Sequence, residues 1–349
     1  MPIDSAWRAR SVRVLPSTMA LAAARNRKDR MGTDSEATDA ATPGQPALFG
    51  PDGALRRPPP PETLDWARRA VGERSRILAT WTLRGGISHA NHAIDIADDG
   101  GTVNKLVIRR WARPDWELTD PEYTPAQEVA TYRLLAGSAV PTPELLAADV
   151  HGQQCDVPAI LVTRLDGDPG TSVRDLPGLA AQLAVVLPLV HEVDPEEAEA
   201  IVPSYRPYYI ERDLRPPAWT TQPPMWERAI EISTGPAPAA PSRFIHRDYH
   251  PGNTIWSDGR LVGIVDWTSA SWGPPPIDIA HMRTNLANVV GLGAADVFLA
   301  AYRSIDGGFD FDPFWDIRAV LDFIGDLDVE NASLERLEAL VARAVAEHG

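Results

Sequence analysis

Apolar and polar residues first fall into a regular pattern from about residue 62. "ETLDWARRAVG" predicts a helix, with Thr63 as N-cap, Leu64, Ala67 and Val71 on one face and Gly72 as the stop. Three short alternating runs then predict strands: "ILATWTL", "HAIDIA" and "TVNKLVIRRW", separated by "RGGISHAN" and by the turn "DDGG". "YTPAQEVATYRLLAG" is the clearest helix. Thr124 caps it, Pro125 takes the first helical position, Gln127 completes a capping box and Gly137 ends it. "ELLAADV" and "AILVTRL" predict two further strands. In "DLPGLAAQLAVVLPLVHEV" the period turns helical, with Pro177 and Pro188 expected to limit the ends, and from Val289 onward it stays mostly helical. Residues 195–240 mix prolines, aromatics and charges without a sustained period.

Strands therefore gather early and helices late, which predicts an α+β protein of two lobes, an antiparallel sheet lobe followed by a larger, mainly helical one. The 349 residues suit two domains. Boundaries are expected near residues 61 and 166: an irregular extension over 1–61, a first lobe over 62–166 and a second over 167–349. The extension, with "MGTDSEATDAATPGQPALFGPDG" and "RRPPPP", is rich in Pro, Gly and polar residues and reads as disordered. Met31 offers an alternative start. "VLPSTMALAAA" is interrupted by Pro16 and followed by "RNRKDR", which argues against an export signal.

Composition narrows the function. A hydrophobic fraction of 44% provides a sizeable core. A net charge of −15 argues against nucleic acid as the main partner, because a polyphosphate needs a basic surface. The same charge fits a cationic small molecule. No apolar run approaches the ~20 residues that span a bilayer. The single cysteine, Cys155, forms neither an internal disulfide nor a cysteine-rich zinc site, and a reducing, cytoplasmic setting is expected. The eight histidines show no metal-ligand pairing, and His191 reads as a core histidine.

The chemistry concentrates in "FIHRDYHPGNTIW", Phe244 to Trp256. Phe244 and Ile245 read as a strand end, and "TIWSDGRLVGIVDW" reads as a hairpin turned at Asp258–Gly259. The polar run is then a loop between buried strands, and one loop and one strand end present Asp248, Asn253 and Asp266 together. That trio suits phosphoryl transfer. Asp248 would orient an attacking hydroxyl and accept its proton, while Asn253 and Asp266 would hold Mg²⁺ through hard oxygen ligands. Three turn-forming residues capping a hairpin are the plainer alternative.

"HRDYHPGNTIWSDGRLVGIVDW" resembles the catalytic core of the aminoglycoside phosphotransferase family, small-molecule kinases with a protein-kinase-like fold. "HPGN" and the Asp266–Trp267 pair point to the small-molecule branch, as does "WGPPPIDIAHMRTNL". The resemblance implies a nucleotide-covering loop at Gly85, Gly86 and Ser88. It places Arg109 where the family carries its nucleotide lysine, with Lys105 four residues earlier as the alternative. Glu128 would hold that cation, and backbone groups of Thr163, Arg164 and Leu165 would meet the base. Asp278 and His246 would support the catalytic loop. The implied donor is ATP or GTP with Mg²⁺. The implied acceptor is a hydroxyl on an aminoglycoside or another antibiotic, with a metabolic amino sugar, choline-like amine or amino alcohol as the alternative. A nucleotide-binding module without activity is the rival of another class, kept open by Arg109. A protein kinase is disfavoured by His250, two residues after Asp248. Arg247 is expected to be a solvated loop residue, with pairing to phosphate as the lesser alternative, and Tyr249 and His250 are expected to be structural or near the acceptor.

Overall fold

The computed structural model describes residues 51–83, 88–114, 116–119, 123–172, 175–208, 213–305, 309–323 and 333–348. They divide into two compact units, one formed by residues up to 136 with 143–165 and one by 137–142 with 166–349.

The first unit is built on a five-stranded antiparallel sheet: β1 (Arg76–Thr82), β2 (Ala90–Ala97), β3 (Val103–Arg110), β4 (Leu145–Asp149) and β5 (Ala159–Thr163), in the order β1-β2-β3-β5-β4. Side-chain alternation gives β3 two different faces. Leu106 and Ile108 join Ile94, Ile96 and Leu161 in a core closed by Trp66 and Ala67 of the Pro61–Val71 helix. Arg109 lies on the other face, level with Asn91 of β2 and Ile160 of β5. The Pro125–Leu135 helix carries the predicted capping box, with Gln127 N donating to Thr124 Oγ1 at 3.2 Å and Thr124 N to Gln127 Oε1 at 2.9 Å.

Two expectations at the N-terminal side are corrected. The Pro61–Val71 helix has no side-chain cap; Thr63 is buried and donates instead to Asp156 Oδ1 at 2.8 Å. The predicted irregularity also ends before Pro61, because Pro51–Arg56 is helical and Leu55 is buried. A long-range partner explains this. The buried guanidinium of Arg110 donates to Asp156 Oδ2 at 2.6 Å and also to the Arg57 carbonyl, pinning a segment whose own composition favours no fold.

The second unit is mainly helical. The Pro276–Val289 helix is buried along almost its whole length and packs against helices Leu292–Ile305, Phe314–Phe323 and Ser333–Glu347. The Leu176–His191 helix is capped by Asp175 and runs through Pro188 to end three residues later at His191. Helices also form at Pro195–Ile201 and Pro223–Thr234, inside the stretch without sequence period. Short strands complete the unit: β6 (Asp168–Pro169), β7 (Arg243–Ile245), β8 (Thr254–Ser257), β9 (Arg260–Ile264) and β10 (Ser271–Gly273). β8 and β9 form the predicted hairpin, with Asp258 (φ 49°) and Gly259 (φ 74°) both left-handed at its tip, as a tight two-residue turn requires. Among the described residues no helix is long and apolar enough to cross a membrane.

One consequence of the sheet's packing is measurable. His92 faces the core side of β2, 3.2 Å from Thr82 Oγ1, and burial together with the Arg110 guanidinium lowers its pKa to about 4 from 6.5. Folded His92 stays neutral where the unfolded chain binds a proton. Its contribution is therefore complete above pH 6.5 and is lost as pH falls towards 4, on the order of 2 kcal/mol. Buried His89 and His246, also shifted down, act in the same direction. The denaturation midpoint should drop between pH 6.5 and 4, and His92→Gln should flatten part of that slope. A midpoint unchanged across this window would contradict the assignment.

Candidate active site

The loop after β7 is held in shape by one carboxylate. Asp278, near the start of the Pro276–Val289 helix, is fully buried. Its Oδ2 accepts from His246 N at 2.9 Å and lies 3.1 Å from His191 Nε2, while its Oδ1 accepts from Arg247 N at 2.7 Å. This grip holds Arg247 in the left-handed region, φ 67°, which costs a non-glycine residue about 1–2 kcal/mol. The Arg247 side chain is neither solvated nor turned outward. It donates to the Arg206 carbonyl and stacks over Tyr208, 3.8 Å from the ring centroid.

His246 ties the loop to the strand end that carries Asp266. Its Nε2 lies 3.0 Å from the Val265 carbonyl and its Nδ1 accepts from Asp248 N at 3.3 Å. A carbonyl on one side and an N–H on the other fix the neutral Nε2–H tautomer, consistent with a pKa pushed down by burial. The backbone bond from Val265 N to Asn253 O, 2.9 Å, then sets Asp266 one residue beyond the partner of Asn253. Asp266 is left-handed, φ 68°, and accepts from Thr268 Oγ1 at 3.2 Å. Tyr249 is a core anchor, its hydroxyl donating to the Leu183 carbonyl at 3.0 Å.

Asp248 and Asn253 are in direct contact. The Asn253 amide nitrogen donates to the Asp248 carbonyl at 3.0 Å and to its Oδ2 at 3.1 Å. Both neighbours are acceptors, so the NH₂ must face them and the amide oxygen is turned the other way. The other carboxylate oxygen, Oδ1, has two imidazoles near it: His281 Nε2 at 3.0 Å and His250 Nε2 at 3.6 Å. Burial opposes ionisation of Asp248, yet these imidazoles hold its carboxyl well below the ordinary range, and it is a carboxylate at neutral pH. Nothing in the loop's own spacing pointed to His281. Its only sequence signal is a position one helical turn after Asp278.

In the sheet unit, Arg109 and Glu128 form a buried ion pair, Nε to Oε1 3.0 Å. Arg109 Nη2 also donates to His89 Nδ1 at 3.0 Å, and His89 is kept neutral by burial and by the neighbouring Arg109 and Arg113. Lys105 is exposed on the same strand. Ser88 is half-buried, and Gly85 and Gly86 lie outside the described residues. The N–H groups of Thr163 and Arg164 are bonded within the sheet, to the Glu144 and Lys105 carbonyls, each at 2.9 Å, so these two donors serve the fold rather than a nucleobase edge. Leu165 directly follows them. The Arg164 guanidinium pairs with Asp95 at 2.9 Å and stacks over Trp81, 4.7 Å from the ring centroid, an arrangement the sequence reading did not foresee.

A family model described as the phosphotransferase enzyme family, APH, matches residues 82–315. The chain belongs to this family. The match takes in Arg109, Glu128, the loop of Asp248 and Asn253, Asp266 and Asp278. Solved structures of other phosphotransferases share the fold. Macrolide 2'-phosphotransferase MphH from Brachybacterium faecium is 22% identical, with a TM-score of 0.53 over 80% of this chain and 96% of that one. A thermostable mutant of aminoglycoside phosphotransferase APH(4)-Ia, in a ternary complex with ADP and hygromycin B, is 17% identical with a TM-score of 0.55 over 77% and 94%. Aminoglycoside 2'-phosphotransferase-IIIa, in its GDP complex, is 18% identical with a TM-score of 0.54 over 77% and 94%. At such identities the likeness is one of fold, the two-lobed kinase-like fold expected from the loop. No match was found among curated proteins.

Proposed function

We propose that this phosphotransferase moves the terminal phosphoryl group of a nucleoside triphosphate to a hydroxyl of a small, amine-bearing molecule of the antibiotic class. The observation that carries the reading is the buried contact between ionised Asp248 and the Asn253 amide, with Asp266 one residue beyond Asn253's backbone partner. In the reaction the acceptor hydroxyl oxygen forms the new bond to phosphorus and its proton passes to the Asp248 carboxylate. The bond to the bridging oxygen breaks, and the nucleoside diphosphate leaves. Asn253 through its amide oxygen and Asp266 through its carboxylate fit Mg²⁺, a hard cation that takes few protein ligands when it also binds phosphate. The ion supplies charge neutralisation at the transferring group.

Arg109 is assigned to the nucleotide phosphates. Where a lysine would offer a point charge, its planar guanidinium offers a fork of donors, and Glu128 fixes the direction of that fork. His246 and Asp278 are assigned to bracing the loop. A nucleoside triphosphate donor suits a cytoplasmic setting. The net charge of −15 supports a cationic acceptor over a neutral one.

The test is phosphate transfer from Mg-ATP and Mg-GTP across aminoglycosides, macrolides, amino sugars and choline-like amines, with wild type and Asp248→Ala side by side. Transfer to an antibiotic that the variant loses supports the reading. Transfer only to a metabolic amine or sugar keeps the reaction and replaces the acceptor. Nucleotide binding with no transfer to anything would replace the enzyme by a binding module.

A further inference from the structure

Two imidazoles approach the same oxygen of Asp248, and the reaction just described uses neither. They come from different elements. His250 belongs to the catalytic loop, where its Nδ1 accepts from Gly252 N at 3.0 Å, which leaves Nε2 as the N–H side that faces Asp248. His281 comes from the Pro276–Val289 helix, one turn after Asp278, and its Nε2 lies closer, 3.0 Å from Oδ1. Both rings are buried, with centroids 5.9 Å apart.

A carboxylate that must receive a proton from a bound hydroxyl has to present a lone pair in a fixed direction. The Asn253 amide restrains only Oδ2 of Asp248. With a single restraint the carboxylate plane is free to swing about its Cβ–Cγ bond, because rotation about such sp³–sp² bonds has broad minima. A second contact at Oδ1 fixes the plane. His281 supplies it from the helix that, through Asp278, also sets the loop backbone. The backbone and the side-chain plane of the acceptor-orienting residue are thus referred to the same rigid element.

We propose that His281 is a positioning residue for Asp248, its imidazole N–H fixing the plane of the carboxylate so that the remaining lone pairs point at the acceptor hydroxyl, with His250 as the weaker second contact. This rests on the reading of Asp248 as the residue that orients the acceptor. The effect belongs in turnover rather than in nucleotide binding, since misplacement of a reacting group by about 1 Å costs on the order of a hundredfold.

The experiment compares His281→Leu, which fills the space without a donor, with His281→Gln, whose amide N–H can take the place of Nε2. Expected for Leu is a fall in kcat of about ten- to a hundredfold with the KM for Mg-nucleotide within about twofold of wild type. Gln should recover most of the loss. Equal kcat in Leu and Gln, or a loss confined to KM, would overturn the proposal. A separate arm needs no activity: imidazole ¹⁵N resonances of His281 are recorded in the full chain with and without Asp248→Asn. A shift of the Nε2 resonance supports the contact, and no shift refutes it. If wild type transfers no phosphate to any acceptor, the functional reading fails, and the resonance arm still decides whether His281 holds Asp248.

Discussion

Asp248→Ala should lower phosphoryl transfer by about 10²- to 10⁴-fold, the range that a positioned acid or base contributes. Three features of the residue set this expectation. Its carboxyl is ionised at neutral pH, so it is able to take a proton. It is 5% exposed, so water is a poor substitute in the variant. Asn253 restrains its Oδ2, and His281 lies against its Oδ1. Binding of Mg-nucleotide should change little, because the residues assigned to phosphate and metal are Arg109, Asn253 and Asp266. Some loss of stability is also expected, about 1–3 kcal/mol, from the Asn253 amide left without its carboxylate partner. Calorimetric titration with a non-hydrolysable nucleotide, beside a transfer assay at saturating acceptor, separates these effects. Near-normal kcat in a folded variant would remove Asp248 from the chemistry. Lost nucleotide affinity with an unchanged kcat would move it to the donor site.

The residues that sequence reading found and those it missed differ in one physical respect. Asp248 and Asn253 are five positions apart in a stiff loop, and Asp266 ends the next hairpin arm. Their grouping needs only a tight turn at Asp258–Gly259, which residue type dictates. The capping box at Thr124 is equally local. His281 meets Asp248 only through the docking of a separate helix, and no periodicity encodes that docking. The same holds for the Arg110–Asp156 anchor that orders Pro51–Arg56 against the composition of that segment, and for Tyr208, which receives Arg247. Two local readings failed for a related reason. Thr63 has the residue type of an N-cap, but the helix begins two residues earlier at Pro61 and the Thr63 hydroxyl bonds Asp156 instead. Pro188 costs its helix a bond in the turn before it, yet Leu187, Val190 and His191 are buried around it and the helix continues to His191.

The second large effect is predicted for a residue that touches no reactant. Asp278→Ala should cost several kcal/mol and remove activity together with the fold of the loop. One carboxylate without solvent contact receives two backbone N–H groups, of His246 and Arg247, and the His191 ring. Each buried donor left without a partner costs about 1–3 kcal/mol. Three such losses approach the whole stability of a typical domain, about 5–15 kcal/mol. Arg247 would also lose the bond that keeps it left-handed and would relax towards an ordinary backbone conformation. That displaces Asp248, the next residue. Asp278→Asn should rescue poorly despite its equal size, because an NH₂ group would face an N–H donor at one of the two oxygens. Urea unfolding of Ala and Asn variants, read with nucleotide binding, checks this. A midpoint close to wild type for Asp278→Asn would show that one acceptor is enough, and the loop would then be held chiefly by His246 and its bond to Val265.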